Sequence, residues 1–478
     1  MTGLNLGDVL GPWASGAGPR YVQLAAAVRA AVERYDLAPG TRLPPERQIA
    51  DSLGVSRTTV VAALDRLKQD GWLEARQGAG TWVATRGETL GVSPDGAVYS
   101  SYPVQRLLRS TREPAPALID MASAAFPEPA GVTEALATLD LDPGGIGMGY
   151  LPYGHPDLRA AIASHLSARG LPTVPSQILI TTGVAQAITL LAQLFLPNRE
   201  PVVLENPTWT GTLDAITAHG SKIRSLPVDD QGARVDLVPD AIAKSQADLV
   251  LVTPDFHNPT GAQLTLGRRR RLAELAHDLQ VPVVENIALA GLHLGDTPLL
   301  PPIASFSPDR WILTVGSFSK VVWAGLRIGW VRSSEPTIDR LARLKAVADN
   351  GTPVLSQLVV LGLIDRFDEL AAGRRAHAEK GLATLTAALA ERLPTWRPKP
   401  PVGGLSMWTQ LPHGSAHEFA RVALHHGVDL SPGPIFCADE SHHDHVRLPF
   451  VAPPAVLVEA VDRLAAAWAD YEREREAL

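Results

Sequence analysis

A lysine that follows a short β-branched segment carries the most specific chemistry in this chain. Lys320 comes after the segment 311–315 and the hydroxyl residues Ser317 and Ser319, and Arg327 lies seven residues further on. A primary amine can condense with an aldehyde, while hydroxyl and guanidinium groups neutralise a phosphate. Pyridoxal 5′-phosphate (PLP) requires this set of groups, with Lys320 as the Schiff-base lysine and Ser317 and Arg327 as phosphate ligands.

Backbone amides and an aromatic ring that could contact a bound cofactor follow two further strand-like segments. One such segment leads into Gly183, Val184 and Ala185 at a predicted helix start, where free backbone amides attract a phosphate. A second leads into Trp209, whose ring can stack on a pyridine ring; a core tryptophan is the alternative interpretation. Because ligands of open α/β sheets bind beyond the carboxyl ends of the strands, we expect both groups at one site.

From about residue 118 onward, short apolar strands alternate with amphipathic helical segments. This alternation predicts an α/β fold with a mostly parallel sheet and helices on both faces. The segment Gly-Ser-Phe-Ser-Lys that ends at Lys320 and the segment Asn-Pro-Thr-Gly that begins at Asn258 resemble motifs of fold-type I aminotransferases of class I/II. The resemblance also implies a smaller C-terminal α/β subdomain.

The aminotransferase resemblance implies roles for three further residues. Asn258 is expected to hydrogen-bond the phenolic oxygen of PLP, and Tyr150 to reach the phosphate in the neighbouring subunit of a homodimer. Arg447 is expected to bind the α-carboxylate of an amino acid, which the fork of a guanidinium suits. A surface salt bridge is the alternative role for Arg447.

The chain departs from this family at the ring nitrogen of the cofactor. Where the family has an aspartate, the spacing from Asn258 gives Asn286, and the apolar segment 287–290 lacks the usual tyrosine. An aspartate keeps the pyridine protonated and makes the ring an electron sink, which a neutral amide does less well. Glu285 would substitute if the local register shifted by one residue. Otherwise we expect PLP binding and amine exchange, but inefficient transamination.

The first part of the chain predicts three helices and a hairpin. Apolar residues recur at helical spacing over 24–35, and a second helix ends at Gly54. Ser56 is a good N-cap for a third helix, and two strands flank a glycine-rich turn at 77–80. These elements form a winged helix-turn-helix (α+β), and the segment 43–83 resembles the DNA-binding domain of GntR-family repressors over its whole length.

The GntR resemblance implies a binding surface for a double-stranded DNA operator. The third helix is expected to enter the major groove, where Arg57 can make a forked contact to guanine, and the wing to approach the minor groove. Val60-Val61 stands where the family often has a basic residue, so operator preference is expected to differ. A winged helix that binds another protein is the alternative. The expected DNA-binding residues are Arg47, Ser56, Arg57, Thr58, Thr59 and Gly78.

Charge and composition support a division of the chain. Residues 1–86 carry 10 Lys/Arg and 8 Asp/Glu, a net charge of +2, whereas the remaining residues carry 33 and 42, a net charge of −9. The single cysteine excludes an intrachain disulfide, and we find neither a signal peptide nor a membrane span, so we expect a cytoplasmic protein. We expect a winged helix-turn-helix domain over 1–85, a linker over 86–117 and a PLP-binding domain over 118–478.

Two other segments resemble binding sites but have simpler interpretations. The four arginines 268–271 resemble a nucleic-acid patch, and we expect them to form a solvated helix face. The segment 442–445 (His-His-Asp-His) resembles a set of metal ligands. It falls in a predicted loop without a second ligand cluster, so we expect no metal there.

A GntR-type head, a linker and an aminotransferase-like body together resemble the MocR subfamily of transcriptional regulators. The resemblance implies that the body senses PLP, or an amino acid or amine effector, and that the protein forms a head-to-tail homodimer. Two alternatives stay open: a working aminotransferase that carries a DNA-binding domain, and a regulator whose body has lost PLP and serves only for dimerisation.

Overall fold

The chain has 478 residues, and a computed structural model describes residues 6–14, 18–33, 37, 41–69, 72–76, 80–83, 104, 106–108, 118–139, 147–307, 311–439 and 441–476. Gly78 of the predicted wing and nearly all of the predicted linker lie outside these residues. The chain forms two compact units. The first comprises Met1–Ile119, His413–Asp429 and Asp462–Leu478; the second comprises Asp120–Pro412 and Leu430–Val461.

The first unit contains the predicted three helices and hairpin, preceded by one short additional helix. Its elements near the N-terminus are α1 (Leu6–Leu10), α2 (Arg20–Glu33), α3 (Glu46–Leu53), α4 (Arg57–Gln69), β1 (Leu73–Arg76) and β2 (Gly80–Val83). The antiparallel pair β1–β2 aligns Leu73 with Val83. Apolar side chains spaced at helical intervals, including Leu24, Val28, Val60 and Leu64, are fully buried in a single core.

Local signals in the sequence determine where α3 and α4 end and begin. Gly54 closes α3 with a φ of 63°, in the left-handed region that glycine adopts most readily. The Ser56 hydroxyl accepts a hydrogen bond from the Thr59 amide at 3.1 Å, which confirms Ser56 as the N-cap of α4. The turn between the two helices is therefore specified by these residues.

The second unit is built on an eight-stranded sheet in the order β4-β11-β10-β9-β8-β5-β6-β7. Neighbouring strands from β10 through β6 are parallel, whereas β11 and β7 pair antiparallel. The sheet is therefore mostly parallel, as expected. Its strands are β4 (Ile178–Thr181), β5 (Val202–Asn206), β6 (Ile223–Asp229), β7 (Gly232–Ala233), β8 (Leu249–Val252), β9 (Val283–Asn286), β10 (Ile312–Ser317) and β11 (Gly329–Arg332).

Helices cover both faces of this sheet because successive residues of its strands point to opposite sides. Ile178 and Ile180 belong to one buried cluster, while Leu179 belongs to the cluster on the other face. The helices from this part of the chain are α5 (Val132–Ala137), α6 (Pro156–Ala168), α7 (Val184–Phe195), α8 (Thr210–His219), α9 (Val238–Ser245), α10 (Leu266–Leu279), α11 (Glu335–Asp349), α12 (Val354–Leu361) and α13 (Phe367–Arg392).

A second sheet of five strands has the order β12-β13-β15-β14-β3. Its central strand pairs align Trp408 and Ser431 with Arg447 on the two sides of β15. Two helices of the C-terminal region, α14 (Ala416–His425) and α15 (Pro454–Glu476), accompany these strands in sequence. The strands are β3 (Ile119–Met121), β12 (Arg397–Lys399), β13 (Ser406–Gln410), β14 (Val428–Pro432) and β15 (His445–Pro449).

The expectation of a solvated face for the four arginines 268–271 is wrong in part. Arg269 is fully buried in α10, where it forms an ion pair with the buried carboxylate of Asp255 at 2.5 Å and donates to three backbone carbonyls. Arg268 is partly covered and binds Asp229. A buried guanidinium is stable only when its donors are satisfied, and the loop carbonyls of Leu264 and Pro254 supply those acceptors here.

Candidate cofactor site and DNA-binding surface

The phosphate-binding candidates are brought together by the antiparallel strand β11. Its register aligns Gly329 with Thr181 at the end of β4 on one side, and with Ser317 at the end of β10 on the other. Because β11 runs against β10, its first residue lies at the carboxyl edge where the neighbouring strands end. The Ser317 and Ser319 hydroxyl oxygens lie 2.8 Å apart at this edge.

Close backbone approach shapes the turn before α7. Gly183 is the N-cap of this helix and has a φ of 104°. A residue with a side chain adopts this backbone conformation only with strain. A Cβ on Gly183 would lie 2.9 Å from the Arg327 guanidinium, and one on Gly329 would lie 2.7 Å from the Gly183 Cα. Arg327 donates to the Thr182 carbonyl at 2.7 Å. The guanidinium therefore lies beside the first turn of α7, where Val184 and Ala185 present amides without intrahelical partners.

Lys320 places its amine in a cavity beyond the end of β10. The Nζ atom donates to the Ala124 carbonyl at 2.7 Å. Burial, followed by the positive charges of Arg447 and Arg327, lowers the pKa of Lys320 from 10.5 to about 8. A larger share of the amine is therefore uncharged near neutral pH than for an exposed lysine, and the uncharged amine is the nucleophilic form.

Arg447 lies beside the same cavity, and its burial excludes the alternative role of a surface arginine in a salt bridge. It is buried on β15, and its Nη1 donates to the Asn258 Oδ1 at 3.2 Å. Its Nη2 donates to the Ala122 carbonyl, and its guanidinium lies over the Phe436 ring at 4.9 Å. Because the Asn258 oxygen accepts from Arg447, the two Asn258 amide hydrogens are left to face a ligand.

Two cavities flank the pair formed by His257 and Glu205. Lys320, Asn258 and His257 line one cavity, and Asn286 and Glu205 line the other. The His257 Nε2 and the Glu205 Oε2 are 3.4 Å apart, and both side chains are buried. The predicted lysine, asparagine and ring-nitrogen positions therefore belong to one continuous region of the second unit.

Trp209 is half-buried at the N-cap of α8 and packs in part against the core of the sheet. Its ring covers Gly211, where a Cβ would lie 2.4 Å from the indole. Tyr150 differs from the other candidates because its side chain is 68% exposed. Among the residues that the structure describes, none forms a hydrogen bond with Tyr150.

Glu285 does not replace the missing aspartate. Its carboxylate accepts hydrogen bonds from the amides of Ile303 at 2.6 Å and Ala304 at 3.1 Å, and from the Thr314 hydroxyl at 2.8 Å. Burial raises its pKa, and these donors oppose that shift. Adjacent residues of a strand point to opposite faces, so Glu285 faces away from the cavity that Asn286 lines. The alternative of a register shift is therefore wrong.

Sequence reasoning missed the turn that follows β3. Asp120 Oδ1 accepts from the amides of Ala122 and Ser123, each at 2.8 Å. This turn presents the two carbonyls that receive hydrogen bonds from Arg447 and Lys320. The position of a backbone carbonyl cannot be predicted from residue type. An aspartate two residues before a turn is nevertheless a local signal of that turn.

The described residues that are expected to contact DNA lie at the start of α3 and α4. Arg47, Arg57 and Thr58 are exposed. The Arg57 guanidinium forms an exposed ion pair with Glu46, with an N–O distance of 3.1 Å. Ser56 and Thr59 hydrogen-bond each other at 2.7 Å, so their side chains also stabilise the start of α4. Arg42, which the sequence did not single out, is exposed and lies 5.9 Å from the Trp82 ring beside the hairpin.

The histidine-rich segment 442–445 has aromatic contacts. His445 stacks on Trp408 with ring centroids 5.2 Å apart, and it hydrogen-bonds Asp444 at 2.7 Å. In the parts of the chain that the structure describes, no group of three His, Cys, Asp or Glu side chains is arranged to hold a metal ion. Within the same parts, no helix is long and apolar enough to cross a bilayer.

The side chains present fit PLP. The cradle at Gly183 is kept open by the absence of a Cβ, and hydroxyl, guanidinium and helix amides converge on it. The amine of Lys320 lies in the adjoining cavity with Asn258. The site therefore holds groups that suit an anion and an aldehyde.

Comparisons with known proteins agree with both parts of the chain. Residues 117–464 match the aminotransferase class I and II family, and residues 20–83 match the bacterial regulatory proteins of the gntR family. The uncharacterized HTH-type transcriptional regulator YisV of Bacillus subtilis is 30% identical over 431 residues, which are 86% of this chain and 88% of that protein. The probable rhizopine catabolism regulatory protein MocR of Rhizobium meliloti is 27% identical, with 76% of each chain covered.

Among solved structures, LysN, the α-aminoadipate aminotransferase of Thermus thermophilus in complex with N-(5′-phosphopyridoxyl)-L-leucine, has a TM-score of 0.67. It is 27% identical, and the match covers 75% of this chain and 94% of that enzyme. The chain therefore belongs to the aminotransferase class I and II family and, with its gntR-family head, has the MocR-type architecture of HTH-type transcriptional regulators.

Proposed function

We propose that this protein is a PLP-dependent transcriptional regulator whose aminotransferase-like domain senses PLP or an amino compound. The main observation that supports this proposal is the half-buried Lys320, whose amine has a pKa of about 8 and shares a cavity with Asn258. When bound, PLP supplies an aldehyde that condenses reversibly with amines. A chain that joins this site to a DNA-binding head can convert the presence of a ligand into a change of gene expression.

In this proposal each candidate residue has a defined task. Lys320 holds the cofactor covalently, and Asn258 and Trp209 fix its ring. Asn286 would face the ring nitrogen. The phosphate ligands are Ser317, Arg327, Tyr150, Gly183, Val184 and Ala185. The fit of the glycine cradle and the convergence of three strand ends support the phosphate assignment.

Arg447 is proposed to select effectors that carry a carboxylate. Its guanidinium is buried and contacts Asn258, so a carboxylate bound there would lie close to the ring site. A desolvated guanidinium binds a carboxylate more strongly than an exposed one does. For regulation, PLP or the effector must bind two arrangements of head and body with different affinities. A coupling free energy of about 1–3 kcal/mol would change operator affinity roughly 5- to 150-fold.

The DNA-binding tasks rest on the exposed first turns of α3 and α4. Arg57 and Thr58 are proposed to read base edges, and Arg47 to contact a phosphate or base. Gly78 keeps its proposed role in the wing. We further propose a cytoplasmic, head-to-tail homodimer, in which the exposed Tyr150 is free to contact the partner subunit.

A working aminotransferase is the second candidate, and a specific observation favours it. Lys320, Asn258 and Arg447 together provide the lysine, ring and carboxylate contacts that amino-group transfer needs. Asn286 in place of an aspartate, and the apolar segment 287–290 without the usual tyrosine, favour the sensor. Steady-state assays with amino donors and keto acids separate the two, because rapid multiple turnovers would overturn the sensor proposal.

The decisive experiment measures operator binding as a function of PLP. Fluorescence anisotropy with the promoter next to the protein's own gene should show a PLP-dependent affinity, together with an absorbance band from covalently held cofactor. Lys320→Ala should abolish both effects. Lys380→Ala, which removes an exposed lysine of α13, is the matched control and should keep both. Wild-type protein that stays colourless with saturating PLP would refute the proposal.

A further inference from the structure

The orientation of the Asn286 amide has a chemical consequence for the ring nitrogen. Its Oδ1 accepts a hydrogen bond from the Ala288 amide at 3.1 Å. A backbone N–H requires an acceptor, and only the oxygen of a carboxamide can accept. Asn286 therefore turns its NH₂ group elsewhere, and this group has no hydrogen-bond partner among the described residues.

Strand β9, which carries Asn286, contributes no carboxylate to the cavity that Asn286 lines. Glu285 is directed to the opposite face of the sheet, where three donors bind it. Glu205 lines the cavity from β5, two strands away, and its Oε2 accepts from the Thr253 amide at 2.8 Å and lies beside His257. The remaining polar lining consists of threonines. At the position where the family has an aspartate, Asn286 thus offers this cavity a hydrogen-bond donor.

We propose that Asn286 donates a hydrogen bond to an unprotonated pyridine nitrogen, so that this site selects the neutral form of the ring. This inference rests on the proposed function, because it assumes PLP in this site. A neutral pyridine nitrogen is an acceptor and matches the Asn286 NH₂ group, whereas a pyridinium N–H would face a second donor. Hydrogen bonding to the neutral form and repulsion of the charged form both lower the pKa of the ring nitrogen.

The charge of the ring determines which reactions the site supports. An uncharged pyridine withdraws electrons less strongly than a pyridinium, so carbanion chemistry is disfavoured. Reversible condensation of amines with the aldehyde does not need that charge. Asn286 is therefore a specificity-determining residue that retains ligand exchange and suppresses turnover, which is the behaviour that a sensor requires.

The test uses the full-length protein loaded with PLP that carries ¹⁵N in its ring. The ¹⁵N NMR signal of the wild type should lie at the position of a neutral pyridine between pH 6 and 9, and Asn286→Asp should move it to the position of a pyridinium. Asn198→Asp adds the same charge in an exposed loop before β5, at the opposite edge of the sheet, and should leave the signal neutral. A pyridinium signal in the wild type overturns the inference.

A second arm identifies the partner if the inference fails. Glu205→Gln should leave a neutral wild-type signal unchanged. If the wild type shows a pyridinium that Glu205→Gln converts to the neutral form, then Glu205 is the acidic partner and the role given to Asn286 is wrong. A wild-type protein that binds no labelled PLP would instead refute the proposed function, so the two failures are distinguishable.

Discussion

At the scale of single residues, Lys320 shows how its surroundings prepare an amine for reaction. Burial and two nearby guanidinium groups disfavour its charged form, and the Ala124 carbonyl fixes the position of Nζ. The same burial would penalise a lysine with a purely structural role, which would sit more stably at the surface. A lowered lysine pKa inside a cavity is typical of a site that uses the neutral amine.

The pKa of Lys320 predicts how cofactor uptake depends on pH. The neutral fraction of the amine increases as the pH rises through about 8, so the rate of covalent PLP uptake by PLP-free protein should increase from pH 7 to pH 9. Stopped-flow absorbance measures this rate, and Lys320→Arg should show no covalent phase. A rate that stays constant over this range would contradict the assignment.

At the scale of elements, the position of β11 explains why the proposed phosphate ligands come together from distant segments. An antiparallel strand between β4 and β10 brings Gly329 into register with Thr181 and Ser317. A parallel strand at the same place would begin at the opposite edge, and Arg327 would lie far from the other ligands. The site therefore depends on one exception to the parallel order of the sheet.

The glycine at the start of α7 provides a test of this arrangement. Gly183→Ala places a Cβ 2.9 Å from the Arg327 guanidinium and at a φ of 104°, so the backbone is strained and the guanidinium or the turn must shift. Such strain costs about 1–3 kcal/mol, and PLP affinity should fall roughly 5- to 150-fold. Fluorescence titration measures the affinity. Gly267→Ala on α10, where a Cβ meets no atom within 4 Å, should bind PLP like the wild type.

The first turn of α4 gives a second prediction at this scale. Arg57→Ala should weaken operator binding by about 1–3 kcal/mol, because it removes a forked base contact and one positive charge. Lys68→Ala removes the same charge from the last turn of α4, where the lysine binds Asp65, and should have a smaller effect. Anisotropy titrations at two salt concentrations separate the base contact from the charge. Equal losses for both variants would contradict the recognition-helix assignment.

At the scale of the whole molecule, the proposed homodimer assigns Tyr150 to the site of the partner subunit. Its hydroxyl finds no hydrogen-bond acceptor or donor among the described residues, and most of its side chain is exposed. An aromatic residue exposed to this degree is common on its own, so its role must be tested through the assembly.

Mixed dimers test this role directly. Lys320→Ala protomers lack the covalent link, and Tyr150→Phe protomers lack the phosphate contact. If Tyr150 acts across the dimer, each mixed dimer contains one site with both residues intact and one site with neither. Mixing should therefore restore tight covalent PLP binding to about half of the sites in mixed dimers, measured by absorbance after separation of excess PLP. Tight binding that is never restored would place Tyr150 outside the partner's site.

The sequence by itself determined the chemistry and the order of the elements. Lys320, Asn258 and Ser56 are recognisable because the roles expected of them depend on residue type and near neighbours: a lysine after hydroxyls, an asparagine before proline, and a serine before a helix. The continuous apolar runs also predicted strands that are buried on both faces. These signals are local, so they survive without knowledge of the partners in space.

Only the tertiary structure decided which way certain side chains point and what they meet. Arg269 lies buried against Asp255 instead of facing solvent, and Glu285 binds the amides of Ile303 and Ala304 instead of the cofactor cavity. The Asp120 turn supplies backbone carbonyls to Arg447 and Lys320. The direction of a strand residue follows its register with neighbouring strands, and acceptors from distant loops stabilise buried charges, so residue types along the chain do not specify these contacts.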